Sequence, residues 1–96
     1  MTHEKMIEVI ETYRKLFVDR NIGKIDYFHD ELLDGEAHGL EHCHGMLDKV
    51  IEFVNEGRME KAFRWLGFVQ GVLWAFRVFP LTDLKNHNRP SEKKED

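Results

Sequence analysis

The sequence predicts an all-α protein: an antiparallel bundle of three or four helices with a disordered C-terminal tail. Apolar residues recur at three- and four-residue spacings, no stretch alternates with the two-residue period of a strand, and Gly23, Gly35, Gly39, Gly57 and Pro80 punctuate the pattern. With 96 residues, 42% hydrophobic and 33% charged, the chain has the composition of one globular domain rather than of a disordered segment. The expected division is a helical domain over 1–86 and a tail over 87–96.

Thr2 is a suitable N-cap for the first helix, and Glu4 places a carboxylate in its first turn, at the positive end of the helix dipole. Met6, Ile10, Tyr13 and Phe17 form its apolar stripe, widened by Val9 and Leu16. Arg14, Lys15 and Arg20 suit its negative end, and Gly23 is the expected stop.

In the middle of the chain Leu33, Leu40, Leu47 and Val54 fall seven apart, with Ala37, His44 and Ile51 as a companion row. One helix from Tyr27 to Glu56 would be about 45 Å long, against about 30 Å for its neighbours. A break at Gly35 or Gly39, with Asp34 capping a new start, resolves the mismatch. The expectation is a short helix near 25–33 and a longer one over 36–56.

Gly57 ends that helix, and the next pattern begins at once, so the two form a hairpin. The third main helix is expected to run to about Phe79, where Pro80 blocks continuation. Thr82 then caps one more turn through Leu84 and Lys85. From His87 onward, Pro90 and the five charged residues after it predict disorder.

Six of the eleven aromatic residues fall in the third helix: Phe63, Trp65, Phe68, Trp74, Phe76 and Phe79. On a helical wheel its apolar residues cover far more than the roughly 100° that a surface helix needs, and Trp74 falls outside even that arc. Gly67, Gly71 and Ala75 form a smooth ridge that another backbone can approach closely. Either this helix is the centre of the bundle, or one of its faces pairs with another copy or a target. The second is favoured, because a few short helices rarely surround one helix.

Charge and composition exclude several function classes. The net charge is -4, and 14 basic residues are scattered among 18 acidic ones without the basic stripe that nucleic acid requires. Cys43 is the only cysteine, so no internal disulfide points to an oxidising compartment, and a cytoplasmic protein is expected. Residues 1–20 hold no apolar signal-peptide core. The most apolar run, Trp65 to Phe76, is about 12 residues against the roughly 20 that a bilayer needs. No membrane span is predicted.

Three sets of residues resemble chemical motifs. His38-Gly39-Leu40-Glu41-His42 matches H-x-x-E-H, in which two histidines ligate zinc and the glutamate activates water. Here both histidines lie away from the packed stripe, no third ligand is evident, and the chain is small, so a solvated polar face is expected and His38 and His42 remain weak metal candidates. His44 lies within the packed row, as a hydrogen-bonded core histidine, beside a packing thiol at Cys43. Glu8, Glu11, Glu31 and Asp34 resemble the acidic pairs of all-helical magnesium-dependent nucleotide pyrophosphohydrolases. All four are expected on solvent-facing sides, whereas those enzymes gather their acids inside the bundle. There is no phosphate-binding glycine loop, and the single serine, Ser91, falls in the tail.

Lys61-Ala62, the run Arg64-Trp65-Leu66-Gly67-Phe68-Val69-Gln70-Gly71-Val72-Leu73-Trp74, and then Leu84-Lys85 and Asn88-Arg89-Pro90 resemble the C-terminal part of a set of small uncharacterised tailed-bacteriophage proteins. In those proteins the position of Arg77 is often glycine. The resemblance implies a phage product acting in a bacterial host, where small proteins commonly bind a host factor.

The expected function is therefore non-catalytic, with no cofactor. The protein is expected to bind itself, a dimer being favoured, and a host protein, through Arg64, Trp65, Gly67, Gln70, Gly71, Trp74 and Arg77. A small-ligand protein binding a nucleotide, with Trp65 or Trp74 for the base and Arg64 or Arg77 for phosphate, is the first alternative. The magnesium pyrophosphohydrolase is the second.

Overall fold

Thr2 is extended ahead of the first helical turn, and its Oγ1 accepts the Lys5 amide at 3.0 Å. One of the amides that a helix start leaves unpaired is thereby satisfied, and α1 (His3–Asp19) follows. The computed structural model describes residues 1–28, 30, 32–33 and 35–90. Within them lie three more helices, α2 (Gly35–Asn55), α3 (Met59–Ala75) and α4 (Leu81–Asn88), and no strand. The all-α bundle is as the periodicity predicts.

The three long helices stop in the same way. Ile22 N–H donates to Phe17 O (2.9 Å), Arg58 N–H to Phe53 O (2.8 Å) and Val78 N–H to Leu73 O (2.8 Å). The residue before each donor is left-handed: Asn21 at φ 59°, Gly57 at φ 78° and Arg77 at φ 66°. These are Schellman caps. Ile22 and Val78 are half-buried against the core, so the chain turns as soon as an apolar residue can fold back over the helix end. This corrects two expected stops. Gly23 lies two residues beyond the Asn21 turn, and α3 ends at Ala75 rather than near Phe79. Pro80 serves instead as the N-cap of α4, its carbonyl accepting the Asp83 and Leu84 amides, so Thr82 caps nothing.

The short helix expected near 25–33 does not form in the described residues of that span; positions 29 and 31 lie outside them. Residues 22–27 run as an irregular strap across α2, held by its side chains and backbone. His44 Nδ1 is 2.8 Å from Ile22 O, Ile25 N–H donates to Glu41 O (3.2 Å), and Tyr27 N–H donates to His42 Nδ1 (3.2 Å). Tyr27 OH donates to Glu41 Oε1 at 2.8 Å. These partners replace the bonds a helix would have supplied. A Cβ at Gly45 would lie 3.5 Å from Ile25 O, so glycine brings the strap close to α2.

α2 starts at Gly35 and runs through Gly39, which places the break; the expected cap, Asp34, lies outside the described residues. Leu40, Leu47 and Val54 are buried as their seven-residue spacing predicts; of the companion row His44 is buried and Ile51 half-buried, but Ala37 is exposed.

The bundle is a ring in which α2 touches α1 and α3, and α4 closes between α1 and α3. α2 buries eight residues and α3 only four, Ala62, Leu66, Val69 and Leu73, so α2 is the centre. The outer side of α3 is left uncovered by the described residues.

The expected tail begins too early. His87 and Asn88 are helical and bonded inward: His87 Nδ1 is 2.8 Å from Tyr13 Oη, and the Asn88 and Gln70 amides pair reciprocally at 2.7 and 3.0 Å. Residues 91–96 of that tail lie outside the described residues.

Candidate interaction surface

α3 turns about 100° per residue, so Ala62, Leu66, Val69 and Leu73 share its buried side while Phe63, Gly67, Phe68, Gly71, Trp74 and Ala75 share the opposite one. Phe63 is 39% exposed, and Phe68 and Trp74 are each 56% exposed, with Gly67, Gly71 and Ala75 open between them. Glu60 and Arg64 are the charged residues of this face. A contiguous apolar face with a charged rim is the usual mark of a contact surface.

Two glycines inside one helix need a reason, since each costs about 1 kcal/mol relative to alanine. Gly39 has one: a Cβ there would come within 2.7 Å of the Phe76 ring. At Gly67 and Gly71 no atom lies within 4 Å of an added Cβ. Nothing among the described residues offsets their cost. Arg77 also holds an unfavourable backbone, because φ 66° is a region that glycine occupies freely and a side chain resists.

The seven expected contact residues divide into groups. Gly67, Gly71 and Trp74 share the outer face and border a groove against Leu81 and Leu84 of α4. Arg64 and Trp65 line a larger groove of about 510 Å³ with Tyr27, Phe28, Leu33, His42, Met46 and Phe68. Trp65 is half-buried, edge-on to Phe53 with ring centroids 5.1 Å apart. Gln70 is engaged within the fold: besides its pairing with Asn88, its Nε2 donates to Tyr13 Oη at 3.0 Å. Arg77 occupies the helix cap. Sequence reasoning left Glu60, Phe63 and Phe68 off this surface, although their wheel positions around Gly67, Gly71 and Trp74 would have found them.

His38 is exposed with its ring 5.6 Å from that of Tyr27, whereas His42 keeps only 15% of its side chain exposed under the strap. The expectation of a solvated His42 is therefore wrong, because the Tyr27 amide and ring lie over it. Among the described residues no three His, Cys, Asp or Glu side chains converge as metal ligands. Glu8 and Glu11 are exposed as expected; Glu31 and Asp34 lie outside the described residues. Burial pushes the Cys43 thiol up to about 12, so it stays protonated and unreactive at neutral pH. His44 is the expected core histidine, 3% exposed and stacked near Phe17 at 5.1 Å.

No helix among the described residues is long and apolar enough to cross a membrane. Comparison with protein-family models, curated proteins and solved structures finds no match to this chain. Fold and surface together define a class: a small helical bundle with one aromatic, glycine-ridged helix face left open.

Proposed function

We propose that the chain is a non-catalytic helical interaction protein of the phage type, which uses the outer face of α3 to bind itself and a host factor in the bacterial cytoplasm. The observation that carries this is the open face itself. Three large aromatic rings lie partly in solvent beside two glycines that no packing among the described residues requires. Aromatic residues beside arginine are the types that dominate binding energy at interfaces. Sedimentation equilibrium tests it. The wild-type chain is expected to be a dimer at micromolar concentration, and Trp74→Ala to weaken the dimer at least about tenfold, the loss of one interface hot spot. A Trp74→Ala protein with unchanged mass and unchanged binding would overturn the assignment.

A second reading has its own observation. Arg64, Trp65 and Phe68 meet in one groove whose volume, about 510 Å³, is in the range of small-ligand sites. Such a groove suits a planar base with an anionic group, as in a nucleotide. Native mass spectrometry of gently purified protein separates the readings, since a nucleotide-sized extra mass belongs to the second alone. The pyrophosphohydrolase has less behind it, because Glu8 and Glu11 stand exposed on α1.

A further inference from the structure

The outer face of α3 has an internal symmetry that specifies how a second copy would sit on it. On a wheel of about 100° per residue, Gly67 and Gly71 straddle one line along the helix, and Trp74 and Arg64 straddle the same line further out. Each pair is centred at the same height, level with Val69. A two-fold axis through that point therefore sets Gly67 against Gly71 and Arg64 against Trp74. Glu60 lies near the line at the start of α3, and Arg77 follows its end.

From this we infer that two copies pair through α3 as an antiparallel, two-fold crossing centred between Gly67 and Gly71, with Arg64 of each over the Trp74 ring of the other. The inference rests on the self-association proposed above and adds its orientation and register. Charge complementarity selects the occupant and its direction. In the antiparallel arrangement Glu60 meets the region of Arg77 of the second copy, and Arg64 meets an exposed indole, a favourable cation and ring pair. A parallel arrangement sets Arg64 against Arg64 and Glu60 against Glu60. The glycines let the backbones approach closely at the crossing point, and the flanking rings then close over the ridge. A surface complementary to itself about a two-fold axis gives a closed dimer.

Disulfide trapping tests the register. Gly67→Cys and Gly71→Cys each add a side chain in open space, with ordinary helical backbone, so both variants are expected to fold. Cys43 is buried and does not compete. The two-fold register brings residue 67 of one copy against residue 71 of the other, within the short Cα separation that a disulfide needs. Under mild oxidation a mixture of the two variants is expected to cross-link, and each variant alone to remain largely uncross-linked. Circular dichroism verifies the fold of each variant. If Gly67→Cys alone cross-links as readily as the mixture, the crossing is parallel and the inference fails. If the wild type is a dimer but no combination cross-links, the ridge is not the crossing point, and the register fails while self-association stands. A wild-type chain that stays monomeric near 100 µM, a weak limit of about -5.5 kcal/mol, removes self-association and register together.

Discussion

Arg77 stands where the chain needs a left-handed residue, at φ 66°, and the two equivalent caps show what normally serves there, Asn21 and Gly57. A side chain in that region costs about 1 kcal/mol relative to glycine. Arg77→Gly is accordingly expected to raise the stability of the isolated fold by about 1 kcal/mol, read from urea unfolding. The same change removes the cation proposed to meet Glu60, so the dimer is expected to weaken as the fold strengthens. A variant that loses stability would show that the left-handed cap carries no strain, and one that gains it with no change in dimerisation would show that Arg77 has no part in pairing. His44 illustrates another residue-level compromise. Ile22 O can only accept, so His44 Nδ1 donates, and Nε2 is buried with no hydrogen-bond partner among the described residues. A buried polar atom left without a partner costs about 1–3 kcal/mol, which the strap contact and the Phe17 ring offset in part.

Among the elements, the 22–27 strap depends most on side chains of another element. It has no internal helical bonds, and His42, Glu41 and His44 supply its partners from α2. His42→Ala is expected to release the Tyr27 amide and speed hydrogen exchange across residues 25–28 while leaving α1 and α3 protected. Unchanged exchange there would mean that the His42 side chain is not what holds the strap in place. The strap also marks the limit of what the sequence discloses. Helix positions were legible because their buried stripes follow a 3.6-residue period that packing enforces, as in Met6, Ile10, Tyr13 and Phe17. The region of residues 25–33 carries apolar spacings compatible with a helix, and the conformation of its residues 25–27 is decided by bonds to residues fourteen to sixteen positions away. His42 was read as solvated for the same reason, since periodicity within one helix cannot show that a loop returns to cover it. Helix ends were misplaced where glycine or proline looked like the natural stop, because an apolar residue at the right offset lets Asn21 or Arg77 turn the chain sooner. The outer face of α3 was legible in composition, as too many apolar residues for one buried stripe. Which of them stay exposed depended on α2, rather than α3, being central.

At the scale of the molecule, α4 closes the ring through a polar cluster rather than through a large apolar contact, for Leu84 is its only buried residue. Tyr13, fully buried on α1, links the parts: its hydroxyl accepts from Gln70 of α3 and faces His87 of α4, with Phe79 packed edge-on to His87 at 4.7 Å. The Tyr13 hydroxyl and His87 Nδ1 share one hydrogen bond, whose direction follows the imidazole tautomer. Burial raises the Tyr13 hydroxyl above its usual 10.0, against a smaller lowering by the Gln70 hydrogen bond. A group whose folded value is raised binds its proton more tightly in the fold. Its contribution is therefore complete below pH 10.0 and is lost as the pH rises through the folded value. The Asp48 carboxylate behaves oppositely. Partial burial pushes it up, but hydrogen bonds from Arg14 and Lys24 together hold it below 3.8, so its small, largely solvent-screened contribution fades as the pH falls below that value. Alkaline opening is thus expected to begin at the α1–α3–α4 junction. In a Tyr27→Phe background Tyr13 is the remaining phenol, and its phenolate absorbance is expected to appear only above pH 10.0, together with loss of the near-ultraviolet signal of the packed rings. A charge on the buried Tyr13 oxygen disfavours the packed junction with α4 at that point. A phenol that ionises at its ordinary value with the ring signal unchanged would show that Tyr13 is not what ties α4 to the bundle.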